Sequence, residues 1–167
     1  CDPTLCPANE YVSTNVCLVC PPGTTNAAGD DASRDDTRCD ATLCRANEFV
    51  SDNVCVVCPP GTTNQPGDDA SREDTSCDPT LCPANEYVAD NVCVACPPGT
   101  TNAANDNASR GDTTCDATLC PANQYVAGNA CVDCPPGTTN AAADDASGDD
   151  TTCDATLCPA NQYVAGN

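Results

Sequence analysis

Four cysteines recur in the same order every 38 residues, and this period constrains the fold more than any other feature. The same unit opens at Cys1, Cys39, Cys77, Cys115 and Cys153. Four full units (1–38, 39–76, 77–114 and 115–152) are followed by a partial fifth unit (153–167) that stops between two framework cysteines. We interpret the sequence as a window on a longer array that repeats one small structure.

The composition leaves too few large side chains for an ordinary hydrophobic core. The 167 residues include 18 Cys and 15 Pro, only 4 Tyr and 1 Phe, and no Met or Trp. A cysteine content above roughly 8–10% is typical of disulfide scaffolds, in which each bridge contributes roughly 2–4 kcal/mol. The sequence therefore predicts a small disulfide-rich repeat protein, an elongated rod of tandem 38-residue units with short β-hairpins and loops and little helix.

The charge balance excludes several classes of partner. Lys and Arg together number 5 against 25 Asp and Glu, which gives a net charge of −20. Such a surface repels nucleic-acid phosphates and anionic lipid, and no apolar run approaches the roughly 18 residues of a spanning helix. We expect no nucleic-acid partner and no direct membrane insertion in this segment. Because the chain has no His to act as a base, we also expect no enzyme activity and no cofactor.

Each unit contains the pattern of a short β-hairpin followed by a loop. Tyr11 and Val12 precede turn residues and predict a strand, and Val16–Val19 predict the returning strand. Pro21-Pro22-Gly23 prevents a helix, and the acidic stretch 26–37 is interpreted as a solvent-facing loop. We expect the recurring aromatic residue to form the small core of each unit, packed on residues such as Leu5. These aromatic residues are Tyr11, Phe49, Tyr87, Tyr125 and Tyr163.

The spacing of the cysteines leaves their chemistry open. One pairing along the array joins Cys6 to Cys17 and Cys20 to Cys39, and a nested alternative joins Cys1 to Cys17 and Cys6 to Cys20. A zinc site is a third possibility, because Cys17, Cys20, Cys39 and Cys44 have a spacing that allows tetrahedral ligation. The density and uniformity of the cysteines favour the disulfides of a secreted scaffold over zinc.

Three motifs of the first unit, which recur along the chain with Arg45 and Phe49 as departures in the second unit, resemble known cysteine-rich modules. They are Cys-Pro-x-x-x-Tyr at 6–11, Cys-x-x-Cys-Pro-Pro-Gly-Thr at 17–24 and Asp-Thr-x-Cys at 36–39. Together they resemble the modules of tumour-necrosis-factor receptors, and the array is similar to the CPPGT-type repeats of protist and algal surface proteins, including ciliate immobilisation antigens. The resemblance extends over the whole chain. It implies the disulfides Cys6–Cys17, Cys20–Cys39, Cys44–Cys55, Cys58–Cys77, Cys82–Cys93, Cys96–Cys115, Cys120–Cys131 and Cys134–Cys153.

The acidic loops are weak calcium candidates. Their carboxylates in the first two units are Asp30, Asp31, Asp35, Asp36, Asp68, Asp69, Glu73 and Asp74. Calcium takes six to eight oxygen ligands, yet the third unit offers fewer acids and no EF-hand pattern is present. We favour a solvated acidic face over a specific calcium site.

The hydroxyl groups that follow each Pro-Pro-Gly are candidate attachment points for O-linked glycans. They belong to Thr24, Thr25, Thr62, Thr63, Thr100, Thr101, Thr138 and Thr139. Ordinary turn chemistry of threonine explains the same pattern equally well. Asn107-Ala108-Ser109 is an N-glycosylation sequon.

Uniform units favour a structural role over a ligand-specific one. We expect an extracellular, cell-surface protein that self-associates or assembles laterally into a coat, appendage or glycosylated fibril, with covalent glycans. The alternative is the ectodomain of a ligand-binding receptor or adhesin that uses the array as a spacer.

Overall fold

The computed structural model describes residues 3–158 and residue 160. Within this part of the chain all regular structure is β, with eight two-stranded antiparallel sheets and no helix. No helix that could cross a membrane is therefore found among the described residues. The chain divides into two compact units, residues 1–80 and 81–167.

Two kinds of sheet alternate along the chain. The longer sheets are hairpins of four-residue strands: β1 (Glu10–Ser13) with β2 (Val16–Val19), β5 (Glu48–Ser51) with β6 (Val54–Val57), β9 (Glu86–Ala89) with β10 (Val92–Ala95), and β13 (Gln124–Ala127) with β14 (Ala130–Asp133). The shorter sheets have two-residue strands: β3 (Thr24–Thr25) with β4 (Asp40–Ala41), β7 (Thr62–Thr63) with β8 (Asp78–Pro79), β11 (Thr100–Thr101) with β12 (Asp116–Ala117), and β15 (Thr138–Thr139) with β16 (Asp154–Ala155). The predicted hairpin strands are confirmed.

Each hairpin closes through a two-residue turn in which both residues have positive φ. In the first repeat these are Thr14 (φ 48°) and Asn15 (φ 63°), and Ser13 pairs with Val16 across the turn. Two positive φ angles define a type I′ turn, whose twist matches that of the flanking strands. Asn15 also donates from Nδ2 to the carbonyl oxygen of Ala32, at 2.9 Å. The turn is thus bonded to the long loop that follows the hairpin.

The core of each repeat is smaller than the sequence predicts, and it is built from different side chains. In the first repeat Cys6, Val12 and Ala32 are buried, and Cys17 packs against them. The expectation of an aromatic core on leucine is wrong: Tyr11 is only half-buried, and Leu5 is 57% exposed. Side chains alternate across a strand, so Val12 faces the covering loop and Tyr11 faces the other way. Tyr163 lies outside the described residues.

The observed disulfides have the pairing that the resemblance implies. The structure contains Cys6–Cys17, Cys20–Cys39, Cys44–Cys55, Cys58–Cys77, Cys82–Cys93, Cys96–Cys115, Cys120–Cys131 and Cys134–Cys153. Bridges spanning 11 and 19 residues alternate along the chain. The four cysteines of the alternative zinc set are all oxidised, so they offer no thiolates. Cys158 is unpaired and exposed.

Residues 27–29 and 33–37 of the acidic loop face solvent as the sequence predicts, but the segment around Ala32 folds back over the hairpin. Ala32 donates its N–H to the carbonyl of Thr4, at 2.9 Å, and is 94% shielded from solvent. Leu5 and Asp31 form an isolated β-bridge beside this bond. The loop therefore supplies one wall of the core.

The same contacts between consecutive repeats are found in each of the two compact units. In the first unit Cys20 is bridged to Cys39, β3 pairs with β4, and Thr42 donates its N–H to the carbonyl of Gly23, at 2.9 Å. Gly23 (φ 73°) also lies directly against the backbone of Ala70, so that a Cβ added there would overlap it. In the second unit Gly99 lies in the same way against Ala146.

Candidate functional site

A carboxylate in each acidic loop holds the two side chains that bond that loop to the hairpin. Asp30 Oδ2 accepts hydrogen bonds from Thr37 Oγ1 and from Asn26 Nδ2, the latter at 2.7 Å. The Thr37 bond, followed by the Asn26 bond, lowers the pKa of Asp30 below its usual range. The same pair of bonds lowers the pKa of Asp68, Asp106 and Asp144.

The threonine in this network also completes one edge of the hairpin. Thr37 Oγ1 accepts from the N–H of Val12, and the Thr37 N–H donates to the Val12 carbonyl, both at 2.9 Å. Asn26 Nδ2 donates as well to the Glu10 carbonyl, at 2.8 Å. The outward-pointing backbone groups of Val12 are thereby paired, so β1 presents no open edge at this point.

A second carboxylate organises a local turn in the same loop. Asp31 Oδ1 accepts from Ser33 Oγ at 2.7 Å and from Ser33 N at 2.9 Å. These bonds, with a smaller contribution from Arg34, lower the pKa of Asp31. Asp69 is held in the same way by Ser71 and Arg72, and Asp145 by Ser147. The Arg34–Asp31 ion pair measures 3.3 Å.

The remaining calcium candidates point to solvent or to the hairpin turn. Asp36 Oδ1 accepts from Thr14 N at 2.8 Å, and Asp74 accepts from Asp52 N at 2.9 Å. Asp35 and Glu73 are exposed. In the described part of the chain no three acidic, His or Cys side chains converge as a metal-binding group. The structure therefore does not bring the eight candidate carboxylates together around a common centre.

The two threonines of each pair differ in environment, which the sequence does not reveal. Thr24 is half-buried and donates from Oγ1 to the Pro21 carbonyl at 2.7 Å, as turn chemistry requires. Thr25 is exposed, and its hydroxyl has no intramolecular partner among the described residues. The same bond is made by Thr62, Thr100 and Thr138, whereas Thr63, Thr101 and Thr139 are exposed like Thr25.

The sequon asparagine occupies the position that Asp31 has in the first repeat. Asn107 is half-buried, and its Oδ1 accepts from Ser109 N at 2.9 Å and from Ser109 Oγ at 2.7 Å. Its Nδ2, the atom that an N-linked glycan would occupy, makes no hydrogen bond within the described residues. The Asn107 side chain is thus held through its oxygen, and its nitrogen is free to carry a glycan.

Sequence reasoning missed the glycine at the contact between repeats. Gly23, Gly61, Gly99 and Gly137 are glycine in every full unit and all have positive φ. The neighbouring loop glycines are different, since the position of Gly29 is occupied by Asn105 and Ala143 in later repeats. An invariant glycine beside one that varies is a sequence signal for a close backbone approach.

Comparisons with known proteins returned no relative: no protein-family model, no curated protein and no solved structure matches the chain. The similarity to tumour-necrosis-factor-receptor modules and to ciliate immobilisation antigens is therefore limited to short sequence motifs. Eight disulfides in one chain are typical of an oxidising, extracellular or secreted environment.

Proposed function

We propose that this chain is an extracellular structural protein whose tandem repeats build a cell-surface coat, an appendage or a glycosylated fibril. The observation that carries the proposal is the repetition of one core, one pair of bridges and one set of loop bonds along the chain. A repeated unit that makes the same contact with its successor specifies a periodic assembly.

The uniformity of the repeats also argues against a single-ligand receptor. Each repeat presents nearly the same exposed residues, so a ligand that recognised one repeat would recognise every copy. Receptor modules that share one ligand usually differ from each other at the contact residues. Because the chain has no His to act as a base, and no metal-binding group converges in its described part, we propose that it is non-catalytic.

Glycans in this proposal are attached to the second threonine of each pair. Thr25, Thr63, Thr101 and Thr139 offer exposed hydroxyls without internal partners, whereas the first threonine of each pair uses its hydroxyl inside the turn. A glycan on Thr24 would displace the bond to Pro21, but one on Thr25 would extend into solvent. Asn107 is a further proposed site.

Electron microscopy of native material tests the structural role. We expect a filament or coat whose axial repeat corresponds to one 38-residue unit, with density beyond the protein beside the exposed threonines. Glycopeptide mass spectrometry should place hexose-containing mass on Thr25 rather than Thr24. A discrete monomer with bare threonines and one high-affinity protein ligand would contradict the proposal and support the receptor or adhesin alternative.

A further inference from the structure

One exposed carboxylate of each repeat has no role in the fold. Asp40 is the second residue of its repeat, and the same position is aspartate in every unit of the chain. It lies in β4, is exposed, and makes no side-chain hydrogen bond or ion pair within the described residues. The other aspartates present in every full unit are Asp30 and Asp36 with their equivalents, and both are bonded inside the fold. Asp40 therefore needs a different explanation.

The position is unfavourable for an aspartate that has no partner. Aspartate is depleted from β-strands, and a charge at this point adds to the repulsion in a chain of net charge −20. Calcium takes about six to eight oxygen ligands, and no three acidic side chains of the described residues converge as a metal-binding group. A single carboxylate instead suits a partner that brings hydroxyl or N–H donors.

The residue directly opposite Asp40 is the exposed threonine of the preceding repeat. Thr25 in β3 pairs with Asp40 in β4. Directly opposed residues of an antiparallel pair point to the same face, with Cβ atoms about 4.5–5.5 Å apart. The same pair recurs in the later repeats as Thr63 with Asp78, Thr101 with Asp116, and Thr139 with Asp154. All of these side chains are exposed, and no threonine of the four bonds to its aspartate.

We infer that Asp40 and its equivalents bind the first sugar of a glycan on the opposite threonine. A carboxylate only accepts hydrogen bonds, and a sugar ring carries several hydroxyl donors close to its glycosidic bond. Bonds from hydroxyl groups to a charged oxygen are stronger than those to a neutral one. The covalent link on Thr25 keeps the sugar beside Asp40 at a high effective concentration. This inference rests on the proposed glycosylation of Thr25 and assigns the residue that orients the glycan.

The bound sugar joins two consecutive repeats. Thr25 belongs to the first repeat and Asp40 to the second, so the first sugar lies across their junction. It adds a link beside the Cys20–Cys39 bridge and the hydrogen bond from Thr42 to Gly23. The rest of the glycan extends into solvent from this fixed point, and each repeat directs its glycan in the same way.

Amide exchange at the first junction tests this inference through a double-mutant cycle. The four chains are the unsubstituted chain, Thr25→Val, Asp40→Ala and the two changes together, all compared in the secreted, glycosylated form. Thr25→Val removes the attachment point at this junction alone, and neither change removes a side-chain hydrogen bond of the bare protein. Exchange is measured at Thr42, whose N–H bond to the Gly23 carbonyl lies at the junction. Thr80 at the next junction is the internal reference.

We expect Thr25→Val to accelerate exchange at Thr42 about fivefold in the chain that keeps Asp40, as the loss of one net hydrogen bond does. In the chain with Asp40→Ala the same change should have little effect, because the sugar has already lost its acceptor. Asp35→Ala is the matched control, since it removes an exposed carboxylate of the first repeat and should leave the effect of Thr25→Val intact. Chromatography isolates the chains glycosylated at Thr25 before exchange is measured.

Equal effects of Thr25→Val with and without Asp40 would overturn the inference, since shielding by an unattached sugar does not depend on Asp40. The same cycle on the chain produced without glycans should show no coupling. Coupling in that bare chain would assign the effect to the threonine hydroxyl itself and also overturn the inference.

Glycopeptide mapping of native material separates this inference from the function proposal. Bare Thr25 in native material contradicts the glycosylated assembly and the inference with it. Glycosylated Thr25 without coupling to Asp40 overturns the inference alone.

Discussion

At the scale of single residues, the acidic side chains have two distinct roles. Asp30 and its equivalents are bonded into the fold by a threonine and an asparagine, whereas Asp40 and its equivalents are exposed and have no side-chain partner among the described residues. A high count of carboxylates therefore does not by itself identify a metal site. Four of them instead fix the conformation of the loop by hydrogen bonds.

The lowered pKa of Asp30 and its equivalents predicts acid sensitivity. A carboxyl with a depressed folded-state pKa stabilises the fold above its unfolded value of about 3.9, and this stabilisation is lost as the pH falls through the folded pKa. We expect a thermal midpoint that is constant from about pH 7 to 5 and falls below about pH 4. Replacing Asp30, Asp68, Asp106 and Asp144 by Asn should flatten this profile in a calorimetric titration.

The matched control replaces Asp40, Asp78, Asp116 and Asp154 by Asn. It removes the same number of charges without touching a hydrogen bond, so the acid transition should persist. Loss of the acid transition in the control variant would show that carboxylates outside these loop bonds cause it.

Two glycines of one loop region should respond very differently to alanine. Both Gly23 and Gly29 have positive φ, which costs an alanine roughly 1–2 kcal/mol. A Cβ at Gly29 meets nothing within 4 Å, and Ala143 occupies the same position in the fourth repeat with φ 83°. A Cβ at Gly23 overlaps the backbone of Ala70.

We therefore expect Gly29→Ala to cost only the φ strain of roughly 1–2 kcal/mol, and Gly23→Ala to open the contact between the two repeats as well. Amide hydrogen exchange at Thr42, whose N–H is bonded to the Gly23 carbonyl, reports this opening directly. Faster exchange is expected in Gly23→Ala only. Equal exchange in both variants would mean that φ strain alone matters at these positions.

At the scale of elements, the two bridges of each repeat have different structural environments. Cys44 is 2% exposed and packs with Val50 and Ala70, so the Cys44–Cys55 bridge is part of the core. The Cys58–Cys77 bridge joins the hairpin to the segment that starts the next repeat. Both close loops of similar length, and the chain-entropy model assigns each about 3 kcal/mol.

Removing each bridge as a cysteine pair should therefore have a different local effect. Replacing Cys44 and Cys55 by Ala removes a core element, and we expect fast amide exchange at Ala70 and Thr75. Replacing Cys58 and Cys77 by Ala should instead expose Thr80, whose N–H is bonded to the Gly61 carbonyl at 2.9 Å. Identical exchange patterns in the two variants would contradict separate roles for the bridges.

At the scale of the whole molecule, the net charge of −20 is the dominant electrostatic feature. The described residues contain two ion pairs, both between an exposed Arg and a nearby Asp, so most carboxylates have no cationic neighbour. Their mutual repulsion destabilises the folded state and keeps copies apart at low ionic strength.

The thermal midpoint should accordingly rise between about 10 mM and 500 mM NaCl, because added salt screens the repulsion. CaCl₂ at equal ionic strength, after treatment with a chelator, serves as the comparison in the same calorimetric measurement. A similar rise with both salts is expected of a solvated acidic surface. A much larger rise with calcium would reveal specific sites in the acidic loops.

Local patterns in the sequence were sufficient to predict the repeats, the two hairpin strands and their turn, because each depends on residues close together in the chain. The choice between Val12 and Tyr11 as the core residue depended on which face the loop 26–37 covers, and alternation along a strand does not specify this. The contact of Gly23 with Ala70 and the bonds of Thr37 to Val12 join residues 25 or more positions apart. Only the tertiary structure decided them, since a short motif contains no information about which distant backbone will lie against it.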